Sequence, residues 1–335
     1  MTISIVVCIP LYNGARFIGA ALESVLGQSR MPEEIVVVDD GSTDGGPEIV
    51  AGFAKRDPRI RLLSKQNGGQ SSARNYGVSQ SSATHIAFLD QDDWWYPKHL
   101  QALERAARYY SGPGKIGWIY SDLDEYDRTG RLYVRRLLQT MGTEHPKRSI
   151  YSCLGQNMYV LPSASLITRE AFDAVEGFDE RLSGYEDDDL FLRMFIAGYT
   201  NVFVPEGLSG WRVHGDSASR SVRMTNSAMV YADKLFEMFP NDVALRRYFC
   251  RDIIAPRFFR QALGSYSLAA ETGNKEMMLA SLELMDLVLP RLSARRRILL
   301  RAVRPLFGLR VVQDWAGIRE LRETAYGMMQ GARLF

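Results

Sequence analysis

Three aspartates fall within four consecutive positions of the segment AFLDQDDWW, at Asp90, Asp92 and Asp93. Carboxylates crowded in this way repel one another and resist removal from water, so a cation or solvent must offset their charge. Asp90 and Asp92 are two residues apart after an apolar run, so both can address one site. Because hard divalent cations prefer carboxylate and phosphate oxygens, the pair predicts a metal ion that carries a diphosphate. A solvated turn is the alternative, since Asp is common in turns, and Asp93 could simply begin the next helix.

Two further acidic clusters stand beside apolar runs. Asp39 and Asp40 close the run EEIVVVDDGSTDG, where a carboxylate could accept a hydrogen bond from the imide N–H of a uracil-type base. The plain alternative is a turn in which Ser42 and Asp44 cap the following helix. The segment GYEDDDLFLRM carries four acids in a row. The dipole at the start of a helix accounts for one or two of them, and the others need a separate explanation.

The elements that must position these side chains alternate between strands and helices. Four strands are predicted by the runs ISIVVCIPLY, EEIVVVD, IRLLSK and THIAFLD. Helical periodicity follows the first strand, and helices are also predicted over GGPEIVAGFAKRD and SSARNYGVSQSS, the latter capped by Ser71 or Ser72. This alternation predicts a parallel α/β sheet, in which ligands bind beyond the carboxyl ends of the strands. The polar residues expected at those ends are Tyr12, Asn13, Asp39, Asp40, Asn67 and Asp90 to Asp93.

The remainder of the chain is less regular and then becomes helical. KIGWIYSDLDEYDRTGRLYV predicts two strands joined by a turn, and NVFVPEGLSGWRVHGDS predicts a short strand pair. Beyond about residue 220 the apolar residues recur with helical spacing. The change of period divides the chain into a first domain, 1–220, and a helical region, 221–335.

Composition excludes several classes of protein. A net charge of +2 over 335 residues gives no field that would attract nucleic acid. The cysteines Cys8, Cys153 and Cys250 are far apart, which indicates neither a disulfide framework nor a zinc site. No apolar stretch approaches the roughly 20 residues that span a bilayer, and the N-terminus lacks the pattern of a signal peptide. These features predict a cytoplasmic protein.

Six segments together resemble the family 2 glycosyltransferases, which have the GT-A fold: IPLYNGARFIGAALESVLGQS, EIVVVDDGSTDG, NGGQSSARNYGV, AFLDQDDWW, GYEDDDLFLRM and WRVHGDS. The similarity covers about residues 3 to 220. It implies a Rossmann-like, mostly parallel sheet with helices on both faces, followed by the helical C-terminal region. It also implies a metal-dependent enzyme that inverts the anomeric centre while moving a sugar from a nucleotide-sugar, a UDP-sugar above all, to a hydroxyl of a glycan or lipid-linked acceptor. Synthesis of a cell-surface polysaccharide or glycoconjugate would fit that activity.

The resemblance also implies a role for individual residues. Asp187 becomes the general base, Asp92 a ligand of Mn²⁺ or Mg²⁺, and Asp90 a contact of the ribose. Asp39 binds the base of the nucleotide, beside a wall formed by three residues near the end of the first strand. The full nucleotide-binding set is Pro10, Tyr12, Asn13, Asp39, Asn67, Arg74, Asp90, Gln91 and Arg212.

Several alternatives stay open at this point. His214 is either a metal ligand or a structural histidine, and Asp188 competes with Asp187 for the role of base. A nucleotidyltransferase and a non-catalytic protein that binds sugar nucleotides are rival functions. The basic, apolar segment from Arg291 to Arg310 is either a core helix with a solvated face or an interfacial segment on an anionic membrane. In the second case the protein would lie at the inner face of the cell membrane.

Overall fold

The computed structural model describes residues 2–127, 129–213 and 222–308. The chain forms two compact units. One comprises Met1–Cys153 and Asn157–Ser217, and the other comprises Leu154–Gln156 and Ala218–Phe335.

The first unit begins with four parallel strands joined by helices, as predicted from the sequence. In the sheet they lie in the order β3-β2-β1-β4. Their bounds, with those of the connecting helices, are β1 Ile5–Leu11, α1 Ile18–Leu26, β2 Glu34–Asp39, α2 Gly46–Ala54, β3 Ile60–Ser64, α3 Gln70–Ser79 and β4 His85–Phe88.

The sheet becomes mixed beyond β4. β8 is antiparallel to both β4 and β6, β9 runs parallel to β6, and β5 and β7 pair antiparallel with β9 and β6. The elements of this half are β5 Trp94–Trp95, α4 His99–Arg108, β6 Ile116–Tyr126, β7 Leu132–Val134, α5 Leu137–Thr140, α6 Ile150–Gly155, a 3₁₀ turn Pro162–Ala164, β8 Ser165–Thr168, α7 Arg169–Ala174, α8 Glu186–Ile196 and β9 Thr200–Arg212.

Helices cover both faces of the parallel strands, and the β1 sequence shows why. Successive side chains of a strand point to opposite faces, so a strand covered on both sides is apolar throughout. Ile5 and Val7 belong to the core cluster shared with α1 and α2. On the other face, a Cβ built on Gly77 of α3 would lie only 2.4 Å from Cys8 Sγ. Glycine therefore lets α3 approach the sheet closely.

Two local predictions are wrong. The segment predicted as a strand pair is one 13-residue strand, β9, whose pairing with β6 absorbs register shifts near Asp122. The start of α3 is also different, because the residue that precedes it is Gly69, with a φ of 88° and no side-chain cap. Ser71 lies inside the helix and donates instead to the carbonyl oxygen of Leu182 at 3.0 Å.

The second unit is helical in the part that the structure describes. Its main helices are α9 Val222–Met238, α10 Ala255–Thr272, α11 Lys275–Val288 and α12 Ala294–Val303, with a π-helical turn Cys250–Ile254 and 3₁₀ turns Leu289–Arg291 and Arg304–Gly308. α10 ends at Gly273, which has a φ of 67°, and Asn274 caps α11 by accepting from the Met277 N–H at 3.0 Å. None of the described helices is long and apolar enough to cross a bilayer.

Candidate active site

The carboxyl end of β4 carries the three crowded aspartates. Asp90 and Asp92 remain partly exposed, whereas Asp93 is buried. The Asp93 carboxylate accepts the backbone N–H of Arg212 at 3.1 Å, so it fastens the end of β9 to this loop. Burial, reinforced by the charges of Asp92 and Asp90, raises the pKa of Asp93 well above its ordinary value. Asp93 does not begin the next helix, because β5 intervenes and α4 starts only at His99.

The ends of β1 and β2 are joined by a set of turn hydrogen bonds. Asn13 has a left-handed φ of 48°, and its side-chain oxygen accepts the Thr43 N–H at 2.8 Å. Its own N–H donates to Ser42 Oγ at 3.0 Å, and Asp39 accepts the Ser42 N–H at 2.9 Å. These contacts hold the polar ends of both strands at one edge of the sheet.

Gln91 and Asp40 are both engaged with the protein itself. The Gln91 amide accepts the Tyr12 N–H at 2.9 Å and donates to the Tyr12 carbonyl at 3.1 Å, so it acts as a bracket between β1 and β4. Tyr12 keeps 48% of its surface exposed beside this bracket. Asp40 pairs with Lys65 at 2.8 Å and accepts the Gly69 N–H at 2.7 Å, which closes the loop before α3.

Arg74 is almost fully enclosed, although its side chain was predicted to contact a nucleotide. Only 2% of it is exposed. Its Nη2 donates to Asp90 Oδ1 at 2.5 Å, and its Nη1 donates to Glu186 Oε1 at 3.1 Å. The two carboxylates outweigh the opposing effect of burial and raise the pKa of Arg74.

The four acids of α8 have different surroundings. Glu186 is buried against Arg74, Asp188 is buried and accepts the Met158 N–H at 2.8 Å, and Asp189 is buried in an ion pair with Arg193 at 2.7 Å. Asp187 is the member of this cluster that stays partly exposed. It lies beside Glu186 in the first turn, and its Oδ1 accepts the Asp188 N–H at 2.8 Å.

The pKa of Asp187 is raised well above the ordinary value for Asp. The main cause is that the surrounding protein removes much of the water from the carboxylate. The negative charges of Glu186 and Asp188 raise the pKa further, whereas the positive charge of Arg74 lowers it. A raised pKa in an accessible carboxyl group is typical of a residue that exchanges protons in a reaction.

The structure describes one of the two predicted metal ligands, Asp92. Asp92 lies in the turn that follows β4, with its carbonyl oxygen accepting from Arg212 Nε at 3.2 Å, whereas His214 lies outside the described residues. Among the described residues there is no group of three or more His, Cys, Asp or Glu side chains that could hold a metal by themselves. The partly exposed carboxylate of Asp92 nevertheless fits Mg²⁺ or Mn²⁺, since Mg²⁺ is usually held by one or two carboxylates together with the phosphates of its substrate.

The remaining predicted residues border the same edge. Pro10 is the next-to-last residue of β1, and Asn67 is exposed in the loop before α3. The Arg212 guanidinium lies over Trp94 at 5.0 Å and over Phe17 at 5.3 Å from the ring centres. Sequence reasoning did not anticipate Phe17 or the pairing of Arg74 with Glu186, because the partners are far apart in the chain and no local pattern links them.

Known proteins share sequence or fold with this chain. The family model described as "Glycosyl transferase family 2" matches residues 6–175, half of the chain. Glycosyltransferase GlyA of Streptococcus pneumoniae is 27% identical over 223 residues, which cover 64% of this chain and 31% of GlyA. The chain therefore spans less than a third of the length of this curated relative.

Two solved structures share the fold. S. aureus TarS 1-349 in complex with UDP-GlcNAc has a TM-score of 0.64 at 18% identity, over 97% of this chain and 92% of that one. The mannosyltransferase PcManGT from Pyrobaculum calidifontis, in complex with GDP-Man and Mn²⁺, has a TM-score of 0.54 at 17% identity, over 95% and 84%. At such identities the likeness concerns the fold alone, and it confirms the predicted α/β GT-A architecture with a helical C-terminal region. Since the family model covers half of the chain, this protein belongs to glycosyl transferase family 2.

Proposed function

We propose that the protein is an inverting, metal-dependent glycosyltransferase that moves a sugar from a UDP-sugar to a hydroxyl group of a glycan or lipid-linked acceptor. The observation that carries the proposal is that aspartates from three different elements contribute to one site. Asp39 ends β2, Asp90 and Asp92 follow β4, and Asp187 is the partly exposed acid of α8 with a raised pKa. The UDP-GlcNAc bound to TarS and the GDP-Man bound to PcManGT support a nucleotide-sugar donor.

The donor would lie across the ends of β1, β2 and β4. Asp39 accepts the imide N–H of the base, and Tyr12 offers an exposed ring beside it. Asn13, Pro10 and Asn67 border this pocket. Asp90 meets the ribose, while Gln91 supports the site indirectly through its bracket to Tyr12. Arg212 donates from its Nε to the carbonyl oxygen of Asp92 at 3.2 Å and would face the diphosphate.

Asp92 and His214 would hold the divalent cation. When bound, Mn²⁺ or Mg²⁺ neutralises the charge that builds on the departing diphosphate. The Mn²⁺ in the PcManGT complex supports this choice of ion. The protein's own part is to place Asp92 in the turn after β4, where the neighbouring Asp93 fastens this turn to β9.

The transfer itself needs one base and no protein nucleophile. The Asp187 carboxylate takes the proton of the acceptor hydroxyl, and the acceptor oxygen attacks the anomeric carbon from the face opposite the diphosphate. The new carbon–oxygen bond forms as the bond to the diphosphate oxygen breaks. The products are the glycosylated acceptor and UDP, and the proton remains on Asp187 until solvent removes it. Positioning and preorganised charge supply much of the acceleration.

An assay of UDP release tests the proposal. Purified protein is incubated with UDP-GlcNAc and other UDP-sugars, with and without a panel of glycan and lipid-linked acceptors, in Mn²⁺, in Mg²⁺ and in excess chelator. We expect UDP release that requires an acceptor and a metal, and that is nearly abolished in Asp92→Ala. Release of sugar 1-phosphate in place of UDP would indicate transfer of the nucleotidyl group, as by a nucleotidyltransferase. Donor binding without turnover on any acceptor would indicate a protein that only binds sugar nucleotides, and full activity in chelator would contradict the metal assignment.

We also propose that α12 contacts an anionic membrane surface at the inner face of the cell membrane. Ile298 and Leu299 are 68% and 44% exposed, and Arg295 and Ala302, at helical spacing from them, are exposed as well. Leu306, which is 45% exposed, adds a further apolar side chain in the following 3₁₀ turn. The exposed arginines Arg295 and Arg301 of α12 complement anionic lipid, each contributing about 1 kcal/mol near such a surface.

Flotation with liposomes tests this surface. We expect binding to vesicles that contain phosphatidylserine, weaker binding in high salt, and loss of binding in Ile298→Ser/Leu299→Ser. The matched control is Leu279→Ser, which changes a leucine of α11 that is 63% exposed. Equal flotation of the double variant and the control would contradict membrane contact through α12.

A further inference from the structure

Arg74 is a buried cation inside the candidate active site. Its side chain is 2% exposed, and the ring of Phe178 lies 5.2 Å from its Cζ. A buried guanidinium is retained at low cost only when carboxylates pair with it. The two carboxylates that pair with it among the described residues, Asp90 and Glu186, belong to the site.

The two partners come from different elements with different tasks in the proposed function. Asp90 follows β4, on the side of the donor, and Glu186 is the first residue of α8, directly before Asp187. The two amino groups of one planar guanidinium reach both carboxylates, so a single side chain connects donor site and base-bearing helix. Gln70, one turn earlier on α3, donates to the same oxygen of Glu186 and strengthens the α8 side of this connection.

The helix that carries Arg74 has little freedom to move. Gly77, three residues further along α3, leaves no room for a Cβ against Cys8 of β1. Asn75 also holds the loop before α8, because its side-chain oxygen accepts the Phe178 N–H at 2.9 Å and its amide donates to the Phe178 carbonyl at 2.9 Å. Because α3 is tightly packed, the Arg74 guanidinium has a fixed position and can fix the positions of the carboxylates that pair with it.

We infer that Arg74 is a positioning residue that ties Asp90 to Glu186 and thereby sets the place of Asp187 relative to the bound donor. The inference rests on the proposed function. In it, Arg74 acts through the two carboxylates and does not itself touch the nucleotide.

The charges around Asp187 predict how its pKa should change when Arg74 or Glu186 is replaced. The Arg74 cation favours the ionised form of Asp187, whereas the Glu186 and Asp188 anions oppose it. Two further charges act on these neighbours of Asp187. The Asp90 carboxylate interacts electrostatically with Glu186, and the Lys147 ammonium group, in the loop before α6, interacts electrostatically with Asp188. Loss of Arg74 should therefore raise the pKa of Asp187, and loss of the Glu186 charge should lower it.

The test uses Arg74→Met, Glu186→Gln and the double variant. The matched control is Arg59→Met, which removes an arginine that pairs with Asp57 at 2.5 Å in the loop between α2 and β3. Glu186→Gln preserves shape and leaves the pair between Arg74 and Asp90 intact, and Arg74→Lys replaces Arg74→Met if the latter does not fold. For each variant, kcat, the Kd of UDP, the pH profile of kcat and hydrogen exchange in the first turn of α8 are measured.

We expect Glu186→Gln to lower kcat on saturating donor by up to about 10²-fold, as misplacement of a reacting group does, with the Kd of UDP nearly unchanged. The double variant should lose less than the product of the single losses, because both changes break one connection. The acid limb of the kcat profile should move to higher pH in Arg74→Met and to lower pH in Glu186→Gln. Hydrogen exchange in the first turn of α8 should be faster in Arg74→Met and unchanged in Arg59→Met.

Three results would overturn the inference. They are an unchanged kcat in Glu186→Gln, losses that multiply in the double variant, and acid limbs that move in the same direction. A wild-type protein without acceptor-dependent UDP release would instead refute the proposed function, and in that case hydrogen exchange alone decides whether Arg74 ties β4 to α8.

Discussion

Asp187→Asn removes the ability of this α8 side chain to accept a proton and keeps its hydrogen bond to the backbone. Asparagine keeps the size of the side chain and an oxygen that can still accept the Asp188 N–H, which is 2.8 Å from Asp187 Oδ1. It cannot take a proton from the acceptor. The variant should therefore fold normally and fail only in the chemical step.

The size of the loss follows from the role of a general base. Such a base contributes about 10²–10⁴-fold to the rate. At about 1.4 kcal/mol for each factor of ten, this corresponds to a rise of roughly 3–5 kcal/mol in the barrier. The Kd of UDP should stay close to that of the wild type, because Asp187 lies on the acceptor side in the proposed arrangement.

The pH dependence has a definite sign. Because the pKa of Asp187 is raised, the base is lost to protonation while the pH is still above the ordinary range for Asp, and kcat should fall as the pH drops through that raised value. In the window between the ordinary and the raised pKa, the folded protein holds a proton that the unfolded chain has released, so the stability falls as the pH rises. Asn removes this penalty, and the variant should be at least as stable as the wild type at neutral pH.

Asp188→Asn is the matched control. Asp188 is buried and accepts the Met158 N–H at 2.8 Å, a hydrogen bond that an Asn side-chain oxygen can keep, so Asp188→Asn should fold and leave kcat largely unchanged. The assay compares acceptor-dependent UDP release, UDP binding and thermal unfolding for both variants. An active Asp187→Asn, together with a folded but inactive Asp188→Asn, would refute this reasoning and move the base one position along α8.

Two further substitutions probe the packing around the site. Arg193→Ala breaks the ion pair with buried Asp189 and should lower the free energy of unfolding by about 3–5 kcal/mol in a urea titration, and an effect below 1 kcal/mol would show that the pair is dispensable. Gly77→Ala places a Cβ 2.4 Å from Cys8 Sγ and should lower the free energy of unfolding by about 1–3 kcal/mol. The control, Gly52→Ala, changes an α2 glycine with open space around it and should not lower stability. Equal stability of these two variants would contradict the close approach of α3 to the sheet.

The parallel half of the fold could be predicted because its signals are local. Apolar runs such as that of β1 are typical of strands buried on both faces, and the polar residues that end them fall at one edge by the geometry of parallel strands. The mixed half could not be predicted in the same way. β8 sits between β4 and β6 in the sheet, far from its neighbours in sequence, and no local periodicity encodes such long-range pairing.

Residue types at strand ends thus determined the candidate site in outline: Asp39 and the aspartates after β4 stand at the expected edge, and the family resemblance is confirmed by the family model. The tertiary structure decided what each polar group does there. It turned Gln91 into a bracket, Asp93 into an anchor for β9 and Arg74 into an internal ion-pair partner, and it left Asp187 as the accessible acid of α8. The reason is physical. Burial and charge pairing depend on groups brought together from distant parts of the chain, so four acids that look equivalent in sequence acquire different surroundings once the chain has folded.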